Sequence, residues 1–152
     1  MWPAAGSRRH EEVPLTYLVG FPLLVIPFAI YNMIAFLTPI DWNHTVATVT
    51  MVSGERWTIT PEDILLTLAI LMLFVEFVKA TRVGVKTIID HMLSAVLFVV
   101  LLIEFLLVRQ AATSTFFLLV VISFVDVVGG FTVTIRTAQR DLSIETDKAV
   151  TS

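Results

Sequence analysis

Four long stretches without a charged residue constrain the fold of this chain more than any other feature. They cover residues 13–40, 64–75, 92–103 and 110–125. Extended past isolated acids, each reaches about 20 predominantly apolar residues, the length that crosses a hydrocarbon core of about 30 Å. We therefore predict an all-α integral membrane four-helix bundle in one membrane domain, residues 1–152, with spans at about 15–37, 62–81, 88–108 and 115–135.

Composition excludes several other classes of protein. The chain is 57% hydrophobic and only 15% charged, whereas a soluble domain carries about 25% charged residues. A soluble helical bundle needs polar outer faces, and barrel strands need strict alternation; the four stretches have neither. The absence of cysteine excludes disulfides and thiolate metal sites, and a net charge of −3 provides no nucleic-acid footprint.

The distribution of lysine and arginine predicts the orientation. In the predicted topology, 8 of the 10 basic residues lie on one side, in the N-terminal arm, the connection after the second span and the C-terminal tail. Only Arg56 and Arg109 lie on the other side. The positive-inside rule then places both termini in the cytoplasm. The cytoplasmic tail, 136–152, is polar and expected to be loosely ordered.

Local signals mark the helix boundaries. Thr60 followed by Pro61 and Asp63 predicts an N-cap and the start of the second helix. Thr87 with Asp90 three residues later predicts a similar capping box at the third helix. In the first span, Pro22 and Pro27 predict a kinked or partly irregular helix.

The outer loop, 38–60, contains two alternating runs joined by a turn at Gly54. This pattern predicts a short extracytoplasmic β-hairpin, which would be marginally stable alone. We expect it to lie on the membrane surface or on a partner, as a docking surface or as a lid over the bundle. Trp42 and Trp57 are predicted interface anchors of the aromatic belt.

Three carboxylates fall inside the predicted spans: Glu76, Glu104 and Asp126. Buried ionisable groups are costly in a membrane and often mark a function or a partner. Glu76 lies three residues before Lys79, and Glu104 five before Arg109, so a nearby cation offers each a structural explanation.

Asp126 is the candidate nearest the predicted midplane. On a helical wheel it shares one face with Ser123, Gly130 and Thr134, a small and polar stripe that should turn inward. This placement fits a proton or cation pathway. It fits equally a protonated acid that hydrogen-bonds a neighbouring helix.

No motif for catalysis or cofactor binding is present. His10, His44 and His91 are scattered over different predicted sides, so histidine alone assembles no metal site or haem pair. Phosphate-binding and nucleophile-elbow motifs are missing from the sequence. We therefore expect a protein that is not an enzyme and that has no cofactor or metal.

The segment Leu73–Lys79, the turn after it and Ile88–His91 resemble the phosphate-starvation-inducible E family of small four-helix proteobacterial inner-membrane proteins. The resemblance covers roughly residues 62–135. It implies an inner-membrane location and a role in stress or phosphate response, without an assigned active site. The four-helix small multidrug transporters are less similar, because their essential glutamate lies in the first helix, where this chain has no acid.

Two functional hypotheses follow. The first is a non-enzymatic accessory, scaffold or regulatory subunit that contacts the lipid bilayer and forms a homo-oligomer or binds a membrane-protein partner. The second is a small proton- or cation-coupled transporter that uses Asp126, with Glu76 and Glu104 as relay positions.

Overall fold

The computed structural model describes residues 21–38, 40–81 and 85–150 as four α-helices and one β-hairpin. The elements are α1 (Val25–Leu37), β1 (Ala47–Thr50), β2 (Arg56–Ile59), α2 (Pro61–Ala80), α3 (Val85–Leu107) and α4 (Ser114–Val150). A 3-10 turn at Arg109–Ala111 precedes α4. The predicted four helices and short two-stranded sheet are thus confirmed, while positions 15–20 of the first predicted span lie outside the described residues.

Within the described residues α1 begins at Val25, after an irregular segment that contains Pro22, as predicted for this proline. Residues 21–24 form turns, with the Val25 N–H donating to the Pro22 carbonyl at 3.1 Å. Pro27 lies in the first turn of α1, where its missing N–H would have no intrahelical acceptor, so it is tolerated. The 13 residues of α1 rise only about 20 Å, less than the thickness of a hydrocarbon core.

Two other predicted boundaries are wrong. The third helix begins at Val85, so Thr87 lies inside it and cannot be its N-cap. The last helix continues to Val150, so most of the segment predicted as a loosely ordered tail is helical. The start of α2 is as predicted: Asp63 N–H donates to Thr60 Oγ1 at 3.3 Å, and Thr60 N–H donates to Asp63 Oδ2 at 2.9 Å.

Two segments of the described chain, Ile88–Leu107 and Ser114–Arg136, are helices long and apolar enough to cross a membrane. The 20-residue α2 does not share this property, because Glu62, Asp63, Glu76 and Lys79 make it more charged.

Helix α4 packs along both α2 and α3, and α1 packs against α2. The buried apolar core is formed by residues of all four helices and of the turn before α4. It comprises Leu24, Tyr31, Leu65, Ala69, Leu97, Leu101, Ala111, Phe116, Leu119 and Val120. Many large apolar side chains face outward, and a set of polar ones faces inward.

The hairpin has the predicted alternation. Ala47 pairs with Ile59 and Val49 with Trp57, so the apolar residues of the two strands share a face. Gly54 has a positive φ of 87° at the turn, a conformation that favours glycine. All but one of the strand residues are exposed, so within the described chain the hairpin lies outside the helix packing.

Candidate functional site

The polar stripe predicted on α4 does face the interior. Ser123 is 1% exposed and Asp126 is 4% exposed. One and two turns further on, Gly130 and Thr134 meet α3. Because α4 packs between α2 and α3, this stripe faces polar residues of both helices. We call the resulting group the polar cluster; it comprises Glu76, Lys79, Asp90, His91, Ser94, Ser123, Asp126 and Thr134.

Lys79 is the central cation of the polar cluster. Its Nζ lies 3.0 Å from Glu76 Oε2 and 3.9 Å from Asp90 Oδ2. Both carboxylates are buried, at 6% and 7% exposure. The Glu76–Lys79 pair is the one that the sequence spacing predicts. The approach of Asp90 from α3 was not predicted, since the sequence assigned that residue to a cap.

Glu76 also contacts the start of α1. The Leu23 N–H donates to Glu76 Oε1, while Lys79 Nζ donates to the Phe21 carbonyl at 3.0 Å. No side chain caps α1 at Leu24, and its first turn contains no acid. Glu76 therefore supplies, from another helix, both an acceptor and a negative charge near the N-terminus of α1.

His91 lies at the end of the polar cluster near the Asp90 side chain. Its Nε2 is 2.6 Å from Thr134 Oγ1, so one helix–helix hydrogen bond joins α3 to α4. The histidine is only 7% exposed and its ring lies against Phe131. A Cβ on Gly130 would be 2.6 Å from His91 Cε1, so the ring occupies space that glycine leaves open.

The buried carboxyl of Asp126 is only partly satisfied. The Ser94 side chain hydrogen-bonds to its carboxyl, and Glu76 and Lys79 are close enough to interact with it electrostatically. Its Oδ2 and the hydroxyl of Ser123, both buried, have no hydrogen-bond partner among the described residues. Asp90 Oδ1 likewise has no hydrogen-bond partner among the described residues. Such atoms are uncommon in folded proteins and call for an explanation.

Glu104 lies apart from the polar cluster. Its Oε2 accepts a long hydrogen bond, 3.5 Å, from Asn32 Nδ2 of α1. The expected ion pair between Glu104 and Arg109 is not among the ion pairs of the described residues. The Glu104 carboxylate contacts the Asn32 amide instead. The structure thus separates Glu104 from Asp126 by buried apolar side chains. They are Leu97, Leu101, Leu119 and Val120.

The two predicted interface anchors differ in their surroundings. Trp42 is half-buried and stacks on Tyr31, with ring centroids 4.8 Å apart and planes within 3°. Trp57 is 51% exposed on β2 and, with Ile59 and Ile64, lines a shallow cavity of about 210 Å³ between the hairpin and α2.

Tyr31 forms a second polar contact that the sequence did not predict. It is 0% exposed, and its hydroxyl donates to the Gln110 carbonyl at 2.9 Å. Thr113 Oγ1 lies 2.7 Å from the Tyr31 hydroxyl oxygen. Because the Tyr31 proton is used for the Gln110 carbonyl, Thr113 is the donor in this pair. Thr113 Oγ1 also accepts the Phe116 N–H at 3.1 Å, which caps the start of α4. Nothing in the apolar sequence around Tyr31 indicates which distant residues its hydroxyl will contact.

The arrangement does not resemble a metal centre. Across 21–38, 40–81 and 85–150, no three histidine or carboxylate side chains lie close enough to hold a metal ion. The chemistry available to the polar cluster is proton exchange, ion pairing and hydrogen bonding between helices.

Comparisons of the chain with protein-family models, with curated proteins and with solved structures find no match.

Proposed function

We propose that this chain is a multi-pass protein of the bacterial inner membrane, with four spans and both termini in the cytoplasm. The observation that carries the proposal is an inverted distribution of polarity. Phe74, Val96 and Leu106 are 60–68% exposed, whereas Glu76 and Asp126 are 6% and 4% exposed. Exposing this many large apolar side chains to water is unfavourable, whereas contact with lipid chains stabilises such an outer surface.

Within the membrane we propose an accessory, scaffold or regulatory role without catalysis. Two features support it. Most groups of the polar cluster bond to one another across helices, so they contribute to the specific packing of α1, α2, α3 and α4. The buried apolar side chains Leu97, Leu101, Leu119 and Val120 lie between Glu104 and Asp126, which does not favour a polar path along the bundle.

Membrane location is tested by fractionation. The protein is expected to remain in the pellet after alkaline carbonate extraction and to enter detergent micelles. A reporter that is active only outside the cytoplasm should be active when inserted after Gly54 and inactive when fused after Ser152. Release of the protein by carbonate, or the opposite reporter pattern, would contradict this topology.

The accessory role is tested by Asp126→Asn in the purified protein. If the polar cluster organises packing, the substitution lowers the thermal midpoint or changes the oligomer seen by native mass spectrometry. Ser114→Ala, at the start of α4 and outside the cluster, serves as a matched control. An unchanged midpoint and oligomer, together with lost ion flux, would overturn the proposal.

A proton- or cation-coupled transporter is the second candidate. The observation that favours it is the set of buried oxygens without a partner, on Asp90, Ser123 and Asp126. It predicts flux driven by a pH gradient in proteoliposomes, with loss of flux in Asp126→Asn at unchanged stability. Absence of flux in the native protein excludes this function.

The resemblance to the phosphate-starvation-inducible E family remains a proposal about physiological context. It predicts increased expression of the gene when phosphate is limiting. Expression that is independent of phosphate supply would remove this part of the proposal and leave the membrane topology unaffected.

A further inference from the structure

The unsatisfied oxygens of Asp126 and Ser123 mark a small site at the middle of α4. Asp126 is more than nine-tenths buried, yet its Oδ2 has no hydrogen-bond partner among the described residues. Ser123 is one turn before it on the same face, 1% exposed, and its hydroxyl is also without a partner there. Ser94 engages the Asp126 carboxyl from α3.

We propose that Asp126 binds one exchangeable proton, and that this proton exchanges with a single side of the membrane, the side on which α2 ends and α3 begins. The inference deepens the proposed function and rests on it, since it requires the helices to be embedded in lipid. It also identifies the ligand as a proton and excludes a metal cation.

The ligand set favours a proton over a metal cation. Sodium and harder cations need several oxygen ligands around them. Around Asp126 the described residues supply one carboxylate and the hydroxyls of Ser94 and Ser123. Lys79 also lies near enough to act on Asp126 electrostatically, and its positive charge would repel a bound metal ion.

Charged and titratable groups of two helices lie on one side of Asp126. Glu76 and Lys79 of α2, and Asp90 and His91 of α3, are the charged or titratable groups that the packed helices present there. The described segment before α1 contributes only backbone, at Phe21 and Leu23. With three acids against Lys79 and His91, the cluster is neutral only when it holds protons that can be exchanged.

The other side of Asp126 is closed. Leu97 and Leu101 of α3, and Leu119 and Val120 of α4, are 1–8% exposed and fill the interior in that direction. The next acid, Glu104, lies beyond them and contacts Asn32. Proton exchange across this apolar layer would need a change in helix packing, so this conformation reports the acidity of one compartment.

Labelling with dicyclohexylcarbodiimide tests the proposal, because this apolar reagent reacts with protonated carboxyls within membranes. Labelled peptides of the full chain in native membranes are identified by mass spectrometry. The protonated fraction of a carboxyl falls about tenfold per pH unit on the alkaline side of its titration. Label at Asp126 should therefore fall at least about tenfold from acidic to alkaline medium.

The side of exchange is tested by comparing spheroplasts with inside-out vesicles. Label should follow the pH of the medium in inside-out vesicles, where the cytoplasmic face is outside, and should be insensitive to it in spheroplasts. Glu104→Gln is the control and should leave the label at Asp126 unchanged. Because the site is located by peptide mapping of the native chain, the result does not depend on the folding of an Asp126 variant.

Three results would overturn the proposal. Sodium that protects Asp126 from labelling would identify a metal cation site. Label that follows pH on the opposite side would place the access route beyond the apolar layer. No label at any pH, in protein that resists carbonate extraction, would show that Asp126 does not exchange a proton while leaving the membrane location intact.

Discussion

The imidazole of His91 occupies the space that Gly130 leaves free on α4. A Cβ at position 130 would be 2.6 Å from Cε1 and 2.7 Å from Nδ1 of that ring. The glycine thus allows α3 and α4 to approach closely enough for the His91–Thr134 hydrogen bond.

Gly130→Ala is therefore expected to lower the free energy of unfolding by about 1–3 kcal/mol, the usual cost of overpacking a filled site. The ring has little room to move, because it is buried and bonded to Thr134. Thermal unfolding in detergent measures the change. Gly129→Ala is the comparison: it meets the end of the half-buried Phe77 side chain, which can rotate, so its effect should be smaller. A Gly130→Ala protein as stable as the native one would contradict the role given to His91.

Glu76→Gln is expected to destabilise the fold by about 3 kcal/mol, near the lower end for breaking a buried ion pair. The substitution leaves Lys79 without its nearest carboxylate and removes the negative charge beside the start of α1. Equilibrium unfolding of the reconstituted protein gives the value.

A double-mutant cycle isolates the pair. Glu76→Gln combined with Lys79→Met should cost less than the sum of the single changes, because no unpaired charge remains buried. Glu62→Gln, on the same helix and in no ion pair of the described residues, should change stability by less than about 0.5 kcal/mol. Additive effects of Glu76 and Lys79 would show that the pair is not coupled.

Tyr31→Phe removes the hydroxyl that joins α1 to the turn before α4. The loss is expected to be about 1–2 kcal/mol, because the Gln110 carbonyl loses its donor and the Thr113 hydroxyl its acceptor. Denaturation of the purified protein checks this value. Thr113→Ala should lower the stability by a similar amount, because it removes the acceptor of the Phe116 N–H. The double variant should lose less stability than the sum of the two single variants, because they share one hydrogen bond.

Thr60→Ala tests the cap of α2. Loss of the bond from the Asp63 N–H is expected to cost about 1 kcal/mol, the usual effect of removing a threonine N-cap. Thermal denaturation of the variant should be compared with that of Thr58→Ala, an exposed hairpin position without a capping role. Equal midpoints for the two variants would contradict the cap.

The parts of this structure that follow from local chemistry could be predicted. The Thr60 cap depends on residues three apart, and the inward face of α4 depends on helical spacing from Ser123 to Thr134. The hairpin likewise follows from alternation around Gly54. Each of these patterns is complete within a short stretch of chain.

Contacts between distant segments could not be obtained this way. Nothing in the run around Leu23 indicates that its N–H will meet Glu76, 53 positions later. Asp90 was assigned to a local cap because the sequence does not show that Lys79 approaches it from another helix. The polar composition after Arg136 fits a solvated helix as well as a loose tail, so the continuation of α4 was missed.

Because of this continuation, α4 is longer than a membrane span requires. Its 37 residues rise about 55 Å, whereas a hydrocarbon core is about 30 Å thick. In a bilayer the 14 residues from 137 to 150 would form an arm of about 20 Å beyond the apolar segment that ends at Arg136. Because one continuous helix carries both Asp126 and this arm, a tilt of about 10° around the aspartate would move the far end of the arm several ångströms. Any tilt of α4 at Asp126 would therefore be amplified at the end of the arm, beyond the apolar segment.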